Sequence, residues 1–107
     1  DDMREAPSVV LIEGLLERGA TVSAYDPAAM KQARKVFGDR IDYAPSNYKA
    51  LDGADALILV TEWNEFRRPD FDKLSTLLKQ SVIFDGRNVY SAKAMRDRGF
   101  TYYGIGV

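Results

Sequence analysis

The residue best placed for chemistry lies in the stretch Val82-Ile83-Phe84-Asp85-Gly86-Arg87-Asn88. Three apolar residues predict a short buried strand, which the Asp-Gly pair then breaks. Arg87 and Asn88 are thus thrown beyond the strand's carboxyl end, the rim at which open α/β sheets bind ligands. An arginine there offers a planar fork of donors suited to a phosphate or a carboxylate. Position alone leaves Arg87 open between an anion-gripping residue and an exposed loop cation.

Other residues compete with it less well. Asp26 ends an expected strand, where dinucleotide-binding folds place an acidic residue for the ribose, but that residue works with an upstream G-x-G-x-x-G run. The chain has no such run, and an aspartate before Pro27 is favoured as a turn and cap device. Glu62 and Trp63 follow the most apolar strand and could meet a sugar or a base. The plainer reading, that Trp63 and Phe66 close the end of the core, is preferred because aromatics are first of all large apolar groups. Arg4, among Asp1, Asp2 and Glu5, reads from composition as an exposed ion pair worth less than ~1 kcal/mol. Arg67, Arg68, Arg96 and Arg98 read as solvated face.

The elements that must hold Arg87 follow from periodicity. Residues 5–18 predict a helix with Pro7 in its first turn and acidic residues at the positive end of its dipole. Val9, Ile12, Leu15 and Leu16 form its stripe, widened by Val10 and Leu11, and Gly19 closes it. Strands are predicted at 21–25, 41–43, 56–60, 82–84 and 100–103, and helices at 28–37, 47–51, 70–79 and 91–98, with Ser46 or Asn47 and then Asp70 as caps. A helical turn is expected at 64–68. The 56–60 segment is apolar at every position, the pattern of a strand covered on both faces. Strand and helix alternate throughout, so the expected class is α/β: a Rossmann-like three-layer α/β/α arrangement with a mostly parallel sheet.

Bulk properties narrow the function. The chain has 107 residues with 15 basic and 16 acidic side chains, a formal net charge of -1, which suits one domain over 1–107. The balance gives no reason to expect a nucleic acid or a membrane surface as partner. Neither cysteine nor histidine occurs, which removes thiol nucleophiles, zinc-thiolate sites and the commonest general base. No stretch approaches the ~18 apolar residues of a spanning helix, and no signal peptide opens the chain. A cytoplasmic globular piece is expected. The chain opens on Asp1-Asp2 and runs straight into a helix, without the strand that should feed it, so it reads as a fragment of something larger.

Four motifs in order carry a resemblance over essentially the whole chain: Asp1-Asp2-Met3-Arg4-Glu5-Ala6-Pro7-Ser8, Tyr25-Asp26-Pro27, Thr61-Glu62-Trp63 with Phe66, and Phe84-Asp85-Gly86-Arg87-Asn88. They resemble the C-terminal, UDP-sugar-binding domain of the UDP-glucose/GDP-mannose dehydrogenase family, and within it the members that oxidise UDP-glucose most of all. The resemblance implies two NAD-dependent oxidations of the sugar C6 alcohol, with NAD bound mainly by an N-terminal domain outside this chain. It also implies a catalytic cysteine and the contacts of a homodimer in a central region outside it. This chain would be the closing domain, inactive by itself, with Arg87 contacting the UDP-sugar and Arg4 reaching the NAD. The family's upstream Phe-Lys pair and the strand leading to it are not in this sequence. That strand would lie between those at 21–25 and 56–60, and without it two apolar edges would be left unpaired.

Members acting on UDP-N-acetylmannosamine or GDP-mannose are the near alternative. A receiver-like signalling domain, with its early Asp-Asp pair and Thr61, or a purely structural interaction module, are the distant ones. The receiver reading lacks the lysine after the fifth strand and an aspartate ending a central strand.

Overall fold

The computed structural model describes residues 7–60 and 68–104. The elements run α1 (Pro7–Glu17), β1 (Ser23–Ala24), α2 (Met30–Phe37), β2 (Asp42–Tyr43), α3 (Asn47–Leu51), β3 (Ala56–Leu59), α4 (Phe71–Leu77), β4 (Val82–Asp85), α5 (Ala92–Asp97) and β5 (Thr101–Gly104). Every pairing among the described strands is parallel. A parallel pair needs a long crossover, and the intervening helices provide it. The α/β class expected from the alternation is the class observed. No described helix is long and apolar enough to cross a membrane.

The chain divides into two compact units, Asp1–Ala50 and Leu51–Val107. In the first, β1 pairs with β2, Ser23 opposite Asp42 and Ala24 opposite Tyr43. The ladder ends with Asp42 N–H donating to Val22 O and Ala44 N–H to Ala24 O, and β1 is shorter than the strand predicted at 21–25. Helix α1 stops where Gly19 takes a φ of 85°. Gly19 N–H then reaches Leu16 O at 3.0 Å and Ala20 N–H reaches Leu15 O at 3.0 Å. That left-handed turn satisfies two carbonyls that the helix end would otherwise strand. Ile12, Ala33, Phe37 and Ile41 form the buried core, with Val9, Leu16, Val22 and Tyr43 packed against it.

The apolar stripe of α1 is wider than its burial, since Val10 remains 74% exposed. Glu13 on α1 accepts both guanidinium nitrogens of Arg40, at 3.0 and 2.6 Å. The hydrogen bond from Arg40 and its charge hold the Glu13 carboxyl below the usual range, although the pair is solvent-exposed.

In the second unit the strand order is β3-β4-β5. Leu57, Ile83 and Tyr102 stand in one row across it, and Ile58, Phe84 and Tyr103 in the next. Successive residues point to opposite faces, and the two rows fare differently. Leu57, Leu59, Ile83, Asp85 and Tyr102 are buried, whereas Phe84 and Tyr103 are 42% and 54% exposed. Their rings stack at 5.0 Å. The run at 82–84, expected as a buried strand, therefore hides Ile83 but not Phe84, and in the 56–60 strand, expected to be covered on both faces, Leu57 and Leu59 are buried while Ile58 is half-buried and Val60 exposed.

Helix α4 is capped by Asp70, whose Oδ1 accepts Lys73 N–H at 3.0 Å, and α5 by Ser91, whose hydroxyl accepts Ala94 N–H at 3.3 Å. Ser46, not Asn47, caps α3 through Lys49 N–H. Helix α4 ends at Leu77, two residues before the predicted limit, because Lys79 N–H donates to Ala54 O at 2.8 Å rather than back along the helix. Leu74 and Met95 are the buried residues of α4 and α5, and the Phe71 ring meets Tyr90 and Phe100 edge-on at 5.6 and 6.2 Å. Among the described residues β1 and β3 each pair on one side only, and the strands make two sheets rather than one.

Candidate functional site

Strand β4 runs one residue further than the apolar pattern predicts and takes in Asp85. Period-two alternation puts Asp85 on the same face as Ile83, where it is 1% exposed. A buried carboxylate is costly unless its lone pairs are filled, and here they are. Oδ1 accepts Arg87 N–H at 3.0 Å, while Oδ2 accepts Tyr90 N–H at 2.9 Å and the Tyr102 hydroxyl at 2.7 Å. The Tyr90 carbonyl, 3.1 Å from the same hydroxyl, is its second possible acceptor. One side chain thus ties down the start and the end of the loop that carries Arg87.

Gly86 fixes the loop from the other side. Its N–H donates to Leu59 O at 2.8 Å, continuing the ladder to the end of β3. A Cβ at this position would lie 2.8 Å from that same backbone oxygen, closer than real Cβ contacts come, so glycine is demanded by close approach. Asn88 then takes a φ of 54°, a left-handed conformation that asparagine tolerates better than most residues. The result is a tight reversal at the carboxyl end of β4 with Arg87 at its apex.

The Arg87 side chain is exposed. Among the described residues it has no hydrogen bond, ion pair or ring contact, and only its backbone N–H is engaged. Four other described arginines are occupied. Arg34 lies 4.2 Å over the Tyr43 ring, Arg40 is paired with Glu13, Arg96 donates to Tyr102 O at 3.1 Å, and Arg98 lies 4.5 Å over Phe71. Arg96 and Arg98, read from sequence as solvated face, thus make specific contacts. A fixed loop presenting an unengaged guanidinium can bind an anion without first breaking an internal pair.

The remaining candidates fall elsewhere. Asp26 Oδ1 accepts Ala28 N–H at 2.9 Å, the geometry of a turn-closing aspartate. Arg4, Thr61, Glu62, Trp63 and Phe66 lie outside the described residues. No group of metal-ligating side chains is present among the described residues. A surface depression lined by Arg34, Asp39 and Tyr43 belongs to the first unit and does not include Arg87. Asp85 and Tyr102 escaped the sequence reading of the site. The signal that could have found them is the alternation Ile83, Asp85 on one strand, with a tyrosine on the next able to supply a polar tip.

Burial, with the Asp85 hydrogen bond and charge adding to it, pushes the Tyr102 phenol up well above its ordinary value. A raised pKa means the folded state holds the proton that the unfolded state releases, so the stabilisation is complete below the unfolded value of about 10 and is lost as pH rises beyond it. The expected result is a denaturation midpoint that falls above about pH 10, and falls less steeply in Tyr102→Phe. Midpoints measured from pH 8 to 11 check it.

Residues 1–92 match the model of the UDP-glucose/GDP-mannose dehydrogenase family, UDP binding domain. Over 99% of its length the chain is 46% identical to a UDP-glucose 6-dehydrogenase of Pseudomonas aeruginosa and 42% identical to one of Rhizobium meliloti, covering 24% of each. It is 40% identical to the UDP-glucose 6-dehydrogenase TuaD of Bacillus subtilis, covering 23% of it. The chain therefore spans about a quarter of the length of these relatives. Among solved structures, a UDP-D-ManNAc dehydrogenase from Pyrococcus horikoshii superposes with a TM-score of 0.57 over 98% of this chain and 31% of that one, at 20% identity, a likeness of fold. The receiver-like and purely structural readings give way to these matches.

Proposed function

We propose a function from the premise that the chain belongs to the UDP-glucose/GDP-mannose dehydrogenase family, of which it is the UDP-binding domain. It serves as the nucleotide-sugar clamp of a larger NAD-dependent dehydrogenase that oxidises UDP-glucose to UDP-glucuronate in two successive steps. The observation that carries this reading is Arg87, exposed and unpaired among the described residues on a loop anchored through Asp85 and Gly86.

The guanidinium neutralises charge on the UDP-sugar and hydrogen-bonds to it, which fixes the orientation of the sugar. Positioning of reactants is itself a large share of catalysis. Arg87 holds and does not react, and the chain, without cysteine or histidine, supplies neither thiol nor imidazole to the chemistry.

NAD supplies the oxidising power of the complete enzyme. The residues of this chain do not fit a dinucleotide site of their own, because no G-x-G-x-x-G run follows a strand and Asp26 is spent on closing its turn. The cofactor is held chiefly outside this chain, with Arg4 reaching it from the segment before α1. The complete enzyme works in the cytoplasm as a homodimer whose contacts lie mostly outside residues 1–107, and this piece alone has no activity.

In the complete dehydrogenase, Arg87→Ala is expected to raise KM for UDP-glucose about 10- to 100-fold, the equivalent of the ~1.5–3 kcal/mol of a hydrogen bond to a charged group. The fold is expected to survive, because the side chain is exposed and makes no hydrogen bond, ion pair or ring contact among the described residues. Unchanged KM and kcat would overturn the assignment. Product analysis with UDP-glucose, UDP-N-acetylmannosamine and GDP-mannose in turn identifies the sugar.

A further inference from the structure

We propose that Tyr102 is a positioning residue for the nucleotide-sugar, acting through Asp85 on the loop that carries Arg87. The inference rests on the reading of Arg87 as the residue that holds the UDP-sugar. Tyr102 comes from β5, a different strand from the loop, and stands opposite Ile83 in register. Its ring therefore lies on the buried face and runs toward the diagonal neighbour Asp85, across from which Gly104 offers no side chain.

The hydroxyl is the one side-chain donor that Asp85 has among the described residues, the other two being the backbone N–H groups of Arg87 and Tyr90. It sits 2.7 Å from Oδ2 and 3.1 Å from the Tyr90 carbonyl. It therefore touches both the anchor of the loop and the loop's far end. Arg96, donating to Tyr102 O at 3.1 Å, holds the backbone of β5 at the same point.

Removing the hydroxyl alone leaves the ring and its packing in place, but leaves the Asp85 carboxylate held only by the two loop N–H groups and without its side-chain tie to β5. One of those N–H groups belongs to Arg87, so the loop that presents the guanidinium loses its link to the neighbouring strand. Loss of the hydroxyl thus reaches the guanidinium through a single intervening side chain. A phenol with an ordinary pKa of about 10 is protonated throughout the neutral range, and burial only raises it further, so the hydroxyl remains a donor there.

The test is a double-mutant cycle in the complete dehydrogenase, with steady-state kinetics against UDP-glucose and NAD separately. Tyr102→Phe is expected to raise KM for UDP-glucose about three- to tenfold, the scale of one hydrogen bond, with kcat and KM for NAD within about twofold. In the Arg87→Ala background the same substitution is expected to add nothing to KM for UDP-glucose, because the group it positions is gone. A purely structural role would instead lower the active fraction, move kcat rather than one KM, and add to Arg87→Ala in full. That result would overturn the proposal.

So would an unchanged KM in Tyr102→Phe when Arg87→Ala raises it, and this outcome leaves the assignment of Arg87 standing. An Arg87→Ala enzyme with unchanged KM would instead overturn the assignment itself. Should Tyr102→Phe fail to fold, Asp85→Asn reads the same link. It keeps the side-chain volume while replacing one accepting oxygen by a donor, and it is expected to shift KM for UDP-glucose in the same direction and to be silent in the Arg87→Ala background.

Discussion

Asp85→Ala is expected to destabilise the domain by about 3 kcal/mol and to abolish tight nucleotide-sugar binding along with it. The carboxylate accepts from Arg87 N–H, Tyr90 N–H and the Tyr102 hydroxyl, and alanine satisfies none of them. A donor left unpaired in the interior costs roughly 1–3 kcal/mol. The Tyr102 hydroxyl can fall back on the Tyr90 carbonyl, and Arg87 N–H is near enough to the surface to find water, so the sum stays well below three full penalties. The space vacated by a side chain only 1% exposed adds a cavity term. Thermal melting of the complete protein, with the exposed Asp52→Ala as control, checks it. A surface aspartate of this kind is expected to stay within about 0.5 kcal/mol, and equal melting of the two variants would contradict the anchoring role of Asp85.

Gly86→Ala has the second largest expected effect. The new Cβ would sit 2.8 Å from Leu59 O, and that oxygen is backbone already fixed by the N–H of Gly86 itself. Neither atom can move without pulling β3 from β4. A loss of about 2 kcal/mol is expected, the scale of forced overpacking, together with weaker nucleotide-sugar binding as the Arg87 loop is pushed outward. Gly14→Ala makes the opposite prediction and serves as the internal comparison. Its Cβ would meet only Arg18 Nη1, at an ordinary 3.6 Å, and alanine in a helix interior is favoured over glycine by up to ~1 kcal/mol. Melting temperatures of the two variants should therefore move in opposite directions.

Periodicity and punctuation made most of the fold legible. The cap at Asp70 and the glycine stop after α1 could be read because each depends on a local backbone rule that the sequence states outright. The order of strands and helices followed for the same reason. The sheet's two faces were less legible. An apolar run such as Val82-Ile83-Phe84 says that a strand exists, but which of its faces is covered depends on neighbours that no local pattern names. Phe84 is consequently exposed while Ile83 is buried.

At the site, Arg87 was legible from its place after a strand-breaking pair. Asp85 was not, because aspartate before glycine reads as turn punctuation. Its burial depends on Tyr102, 17 residues further along the chain. Long-range polar satisfaction of that sort has no signature within a short window.

The central claim is that Arg87 grips the anionic part of the nucleotide-sugar, and calorimetric titration of the complete dehydrogenase with UDP and with uridine tests it most directly. Arg87→Ala is expected to weaken UDP binding about 10- to 100-fold and to leave uridine binding nearly unchanged, so that the preference for UDP over uridine collapses in the variant. Equal Kd values for UDP in the wild-type and Arg87→Ala proteins would contradict the account.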